Sequence, residues 1–64
     1  MFRLRYYYKR YYSHLNQIQF AEKLGISQSF LSQLLRGVRK PGTETLFQIS
    51  DKLNIPVEKL YKRP

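Results

Sequence analysis

The 64-residue chain has no cysteine and no tryptophan, and only 4 acidic side chains stand against 12 lysines and arginines. Without thiols there is no disulfide staple, no thiolate metal site and no redox chemistry. The single histidine, His14, has no Asp or Glu beside it at ligand spacing, so neither a metal site nor a general base is indicated. Glu22, Glu44, Asp51 and Glu58 are scattered singly, no phosphate-binding glycine loop occurs, and no nucleophile stands next to a base. These absences describe a non-catalytic chain with no cofactor. Long apolar runs are missing too, and nothing approaches the ~20 residues of a membrane span. The first fourteen residues mix Arg3, Arg5, Lys9 and Arg10 with tyrosines, which does not resemble a signal peptide. A bacterial or phage cytoplasm is the expected setting.

What is abundant is positive charge. A formal +8 at pH 7 on so short a chain implies a polyanionic partner, most often nucleic acid. An anionic membrane is disfavoured, because the cations and tyrosines of residues 1–12 do not separate into clean faces. The length allows one small domain, residues 1–64, with a modest core and little spare stability.

Gln17 to Arg36, QIQFAEKLGISQSFLSQLLR, carries the most information. Phe20, Ala21, Leu24, Leu31 and Leu34 fall on one interior side if both halves are helical. Ala21 sits where the two helices would cross, and only a small side chain lets two backbones approach so closely. Gly25 stands one residue past the first apolar period, where the chain must enter left-handed space. Ile26 dips inward, and Ser27 suits the N-cap of a helix opening at Gln28. That helix turns Gln28, Ser29, Ser32, Gln33 and Arg36 outward, a face of amides, hydroxyls and one guanidinium. Such groups match base-pair edges, so the stretch reads as a helix-turn-helix spanning residues 17–36.

Around it the chain organises into further helices. Phe2 to Ser13 can form one helix with Phe2, Tyr6 and Arg10 on a common face, ended by His14. Asn16 is a natural N-cap for Gln17 to Leu24, and Gly37 stops the helix from Gln28 to Arg36. Val38 to Gly42 is a basic loop stiffened by Pro41. Thr43 can cap a fourth helix with Leu46, Ile49 and Leu53 inward, and Pro56 fits the first position of a short fifth helix, Val57 to Tyr61. The expected fold is all-α, with five helices and no required strand.

The segments LNQIQFAEKLGISQSFLSQLLRG (Leu15 to Gly37) and RKPGTETLFQISDKLNIPVEKL (Arg39 to Leu60) resemble the phage-repressor and Cro-type, or Xre-type, helix-turn-helix family. The resemblance spans about three quarters of the chain. It implies a compact five-helix, lambda-repressor-like domain that binds palindromic double-stranded DNA operators as a homodimer, usually to repress transcription.

Gln28 lies at the end of the third helix that enters the major groove in this docking mode. Its amide can donate and accept together, matching the N6/N7 pair of adenine. Gln33, one turn on, also points outward. The resemblance implies base contacts from Gln28, Ser29, Ser32 and Gln33, although serine on a helix surface is often filler. Gln17 can offer a phosphate its amide and backbone N–H, aided by the helix dipole. Asn16 is a cap first and a phosphate ligand second. Arg36, Arg39 and Lys40 form a basic strip beside the groove, adding salt-sensitive affinity without sequence information.

Two departures from the family stand out. Relatives often carry a glutamate at the position of Leu35, paired with the arginine matching Arg10. Leucine leaves Arg10 without that partner, for tyrosine faces or for a phosphate. The run Tyr6, Tyr7, Tyr8, Tyr11, Tyr12 is unusually aromatic; Tyr6 is expected in the core, with at least two of the others outside. Dimer contacts are expected at the end of the fourth helix and on the fifth, at Ile55, Val57 and Leu60. An antitoxin, or a DNA-binding subunit whose main role is a protein partner, is the alternative reading. Single-strand binding through stacked tyrosines is a further one.

Overall fold

Five helices appear in the computed structural model, which describes residues 2–61: α1 (Leu4–Tyr11), α2 (Gln17–Leu24), α3 (Gln28–Arg36), α4 (Thr43–Leu53) and α5 (Val57–Leu60). The ends of the expected 1–64 domain, residue 1 and residues 62–64, lie outside the described residues. Leu4, Phe20, Ala21, Leu24, Leu31, Leu34, Ile49, Leu53 and Leu60 form one core to which every helix contributes. Among the described residues no helix is long and apolar enough to cross a membrane.

The termini of α2 and α3 follow from local chemistry. Asn16 Oδ1 accepts from the Gln19 backbone N–H at 2.8 Å, and Gln19 Oε1 accepts from the Asn16 N–H at 3.0 Å, a reciprocal capping box. Gly25 ends α2 at φ +75°, with Ile26 N–H bonded back to the Ala21 carbonyl at 3.1 Å. Ser27 Oγ then accepts from Phe30 N–H at 3.1 Å to open α3. Gly37, also at φ +75°, closes α3 in the same way, and Val38 N–H reaches the Gln33 carbonyl at 3.1 Å. Ala21 is buried at the packed α2–α3 contact.

The outer elements differ from expectation. α1 is shorter than Phe2 to Ser13, stopping at Tyr11 before His14 is reached. Phe2 is extended instead, in an isolated antiparallel bridge with Tyr61, and Arg3 N–H donates to the Leu60 carbonyl at 2.7 Å. The same pairing ends α5 at Leu60, leaving Tyr61 extended. Gly42, not Thr43, is the N-cap of α4, because its carbonyl already accepts from Leu46 N–H and Thr43 is within the helix. Pro56 likewise occupies the N-cap of α5, one residue before the first helical position.

Tyr6 is not a core residue; it is 47% exposed. Leu4 is fully buried and sets the phase of α1, so Tyr8 and Tyr12, one and two turns on, face Phe20. Tyr8 stacks on Phe20 with ring centroids 4.6 Å apart, and its hydroxyl donates to the Leu15 carbonyl at 2.7 Å.

Candidate nucleic-acid interface

Helix α3 is held by its apolar stripe, with Leu31 and Leu34 buried and Phe30 and Leu35 packed at the margin of the core. The opposite side is polar. Gln28 and Ser29 are exposed in the first turn, and Ser32 and Gln33 are half-exposed one turn later. All four expected base-facing residues therefore share one accessible side of the helix. The turn before them is clamped from α4: Gln48 Nε2 donates to the carbonyls of Leu24 and Gly25 at 2.8 and 3.2 Å. The polar face thus sits on a braced support.

Gln17 opens α2, with Arg5, Tyr8, Lys9, Leu35 and Arg36 lining the same small hollow. This brings Gln17 and Arg36 together across the domain. Asn16 is exposed, and its side-chain oxygen is engaged in the cap. Arg36, Arg39 and Lys40 share a second, larger groove with Arg3, Arg5, Lys9, Tyr6 and Tyr61. Six cationic side chains, from α1 and the residue before it and from the end of α3 and the loop after it, thus border one concavity.

Arg5 and Lys9 were not among the residues singled out in the sequence. Their four-residue spacing placed them on a shared face of α1, but only the burial of Leu4 shows that this face meets α3. Arg10 is exposed, with its guanidinium 6.0 Å from the Tyr11 ring centroid. It lies about 100° round the helix from Lys9, whereas Leu35 packs against the core and borders the hollow lined by Arg5, Lys9 and Arg36. Arg39 turns back onto α3, where its Nη1 donates to Gln33 Oε1 at 3.3 Å.

The surface expected for a dimer is altered in one respect. Leu60 is fully buried and unavailable to a partner. Ile55 and Val57 are half-buried, and Ile55 borders an open hollow with Tyr7, Tyr11, Tyr12, Pro56 and Lys59.

Residues 13–60 match the family model described as Helix-turn-helix. The chain is 43% identical over 51 residues to uncharacterized HTH-type transcriptional regulators from two strains of Mycobacterium tuberculosis. That alignment covers 80% of this chain and 36% of each relative, so the chain spans about a third of their length. No solved structure matches it.

Proposed function

The chain belongs to the helix-turn-helix family of DNA-binding transcriptional regulators, and on that premise we propose that it is a sequence-specific reader of double-stranded DNA that represses transcription from a palindromic operator. Residues 1–64 act as one DNA-binding unit in the cytoplasm. Helix α3 enters the major groove, where Gln28, Ser29, Ser32 and Gln33 meet base edges. The observation that carries this reading is the exposed amide and hydroxyl face of α3, braced by the Gln48 clamp on the turn.

Phosphates are held by Gln17 at the start of α2, by Arg36 at the end of α3 and by Lys40 beyond it, with Asn16 and Arg10 as outer contacts. Arg5 and Lys9 join this set, because they line the hollow that Gln17 and Arg36 share. Such contacts set register and give binding its salt dependence.

Two copies bind as a homodimer. Half-sites one helical turn apart lie about 34 Å from centre to centre, and the domain's longest Cα extent is 28 Å, so with the long axes aligned the gap between neighbours is one that side chains can span. Ile55, Val57 and the exposed Tyr11 supply apolar surface for that contact. The same surface would serve a different protein partner, as in an antitoxin.

Selection from random duplex DNA, followed by gel shifts on the recovered palindrome and its half-site, tests the proposal. The palindrome should bind more tightly per domain than the half-site. A double Gln28→Ala, Gln33→Ala variant should fold and lose target choice. Unchanged choice by that variant would refute reading by α3. Equal affinity per domain for the two duplexes would remove the cooperative dimer.

A further inference from the structure

Arg39 does not project freely into solvent. Its Nη1 donates to Gln33 Oε1 at 3.3 Å, and its Cζ lies over the Phe30 ring, 5.4 Å from the centroid. Phe30 packs against the core, so the cation rests on an anchored aromatic platform. The left-handed turn at Gly37 makes this geometry available, since Val38 N–H closes back onto the Gln33 carbonyl and starts the loop alongside the helix. Ser27, Ser29, Phe30, Gln33 and Arg39 together line one shallow hollow on the face of α3 proposed to read bases.

That contact changes what Gln33 can recognise. A lone glutamine amide offers an acceptor beside a donor, the complement of the N6 donor and N7 acceptor of adenine. The bond to Arg39 also selects one amide orientation, because the opposite one would set N–H groups against each other. With Oε1 engaged by a cation, the amide keeps its Nε2 donors, and the unused guanidinium N–H groups of Arg39 lie beside them. Oε1 keeps a second lone pair, but a surface on which donors predominate best complements two adjacent acceptors, and in the major groove that pair is O6 and N7 of guanine. Adenine would bring its N6 amino group towards a guanidinium that cannot accept.

We infer that Gln33 and Arg39 read a base as one unit and that the base is guanine, an inference that rests on the sequence-reading role proposed above. Arg39 is then a specificity-determining residue instead of a phosphate contact.

The test is selection from random duplex with the wild-type chain, Arg39→Ala and Gln33→Ala. Titrations follow over a range of salt on the selected duplex and on its guanine-to-adenine variant. The relevant step is the one whose preference disappears in Gln33→Ala. The wild type should favour guanine there by roughly 5- to 150-fold, the range of a good two-bond base contact. Arg39→Ala should lose that preference or move it to adenine, and adding Gln33→Ala should cost little more. Thermal melts of both variants, altered at accessible positions, serve as the folding control. Selection of adenine by the wild type would overturn the inference. So would an Arg39→Ala variant that keeps guanine, weakens on all duplexes alike and loses about 0.9 of salt slope, the signature of one phosphate. Wild-type binding without any sequence preference would overturn the proposed reading as well, whereas preference without dependence on Arg39 overturns this inference alone.

Discussion

The side-chain amide of Gln48 reaches across from α4 to the Leu24 carbonyl at 2.8 Å, and the same Nε2 approaches the Gly25 carbonyl at 3.2 Å. Both carbonyls lie where α2 gives way to the turn, and α2 makes no later helical bond to satisfy them. One residue of α4 therefore completes the end of α2 and holds the angle at which α3 leaves.

Replacing Gln48 by alanine should destabilise the domain by about 1–2 kcal/mol, the loss of two modest hydrogen bonds. In a chain this small that lowers Tm by roughly 4–16 °C. Calorimetry with and without the substitution measures it, and an unchanged Tm would mean that the clamp contributes nothing.

Gly25 and Gly37 share φ +75°, but their surroundings differ. A Cβ at Gly25 would stand 2.9 Å from Gln48 Nε2, whereas nothing lies within 4 Å of one at Gly37. Each alanine substitution carries a left-handed cost of about 1–2 kcal/mol. Gly25→Ala should cost more than Gly37→Ala, because the Gln48 amide must give up its bonds to move. In a Gln48→Ala background the two costs should converge, which denaturant titration of all five variants would measure.

Tyr8→Phe removes the donor that satisfies the half-buried Leu15 carbonyl while keeping the ring on Phe20. A loss of roughly 1–3 kcal/mol is expected. Tyr6→Phe should stay within about 0.5 kcal/mol, as for other accessible positions. Equal melting temperatures for the two variants would contradict a stabilising role for the Tyr8 hydroxyl bond to Leu15.

Asn16 can be separated into cap and phosphate roles. Asn16→Asp preserves the capping oxygen, so stability should hold, whereas Asn16→Ala should cost about 1 kcal/mol. If a phosphate also approaches Asn16, the aspartate variant will bind DNA more weakly than alanine despite its better fold. Binding that follows stability alone would leave only the cap.

Arg5→Gln with Lys9→Gln should lower the salt slope of DNA binding by about 1.8, two phosphates at 0.9 each. Arg10→Gln tests the third cation of α1 on its own, with about 0.9 expected. If Arg10→Ala leaves affinity and slope unchanged but lowers stability, the role of Arg10 is confined to its packing over Tyr11.

Much of this was written locally in the chain. Asn16, Gly25, Ser27 and Gly37 set the ends of α2 and α3 through bonds that span at most five residues, so those boundaries could be read directly. The apolar spacing of Phe20, Ala21, Leu24, Leu31 and Leu34 likewise determined which side of the motif is core, and hence that Gln28, Ser29, Ser32 and Gln33 are accessible.

The phase of α1 was different. Five closely spaced tyrosines offer nearly the same apolar gain at several rotations, so composition cannot choose among them. The choice falls to Leu4, which is fully buried, and to Phe20 from a separate helix. That rotation decides which cations meet Gln17 and Arg36. The Phe2–Tyr61 bridge, the Gln48 clamp and the return of Arg39 onto Gln33 depend on where distant backbone arrives. Helix caps act through neighbouring residues and survive as sequence patterns; contacts across the fold exist only once the core has brought their partners together.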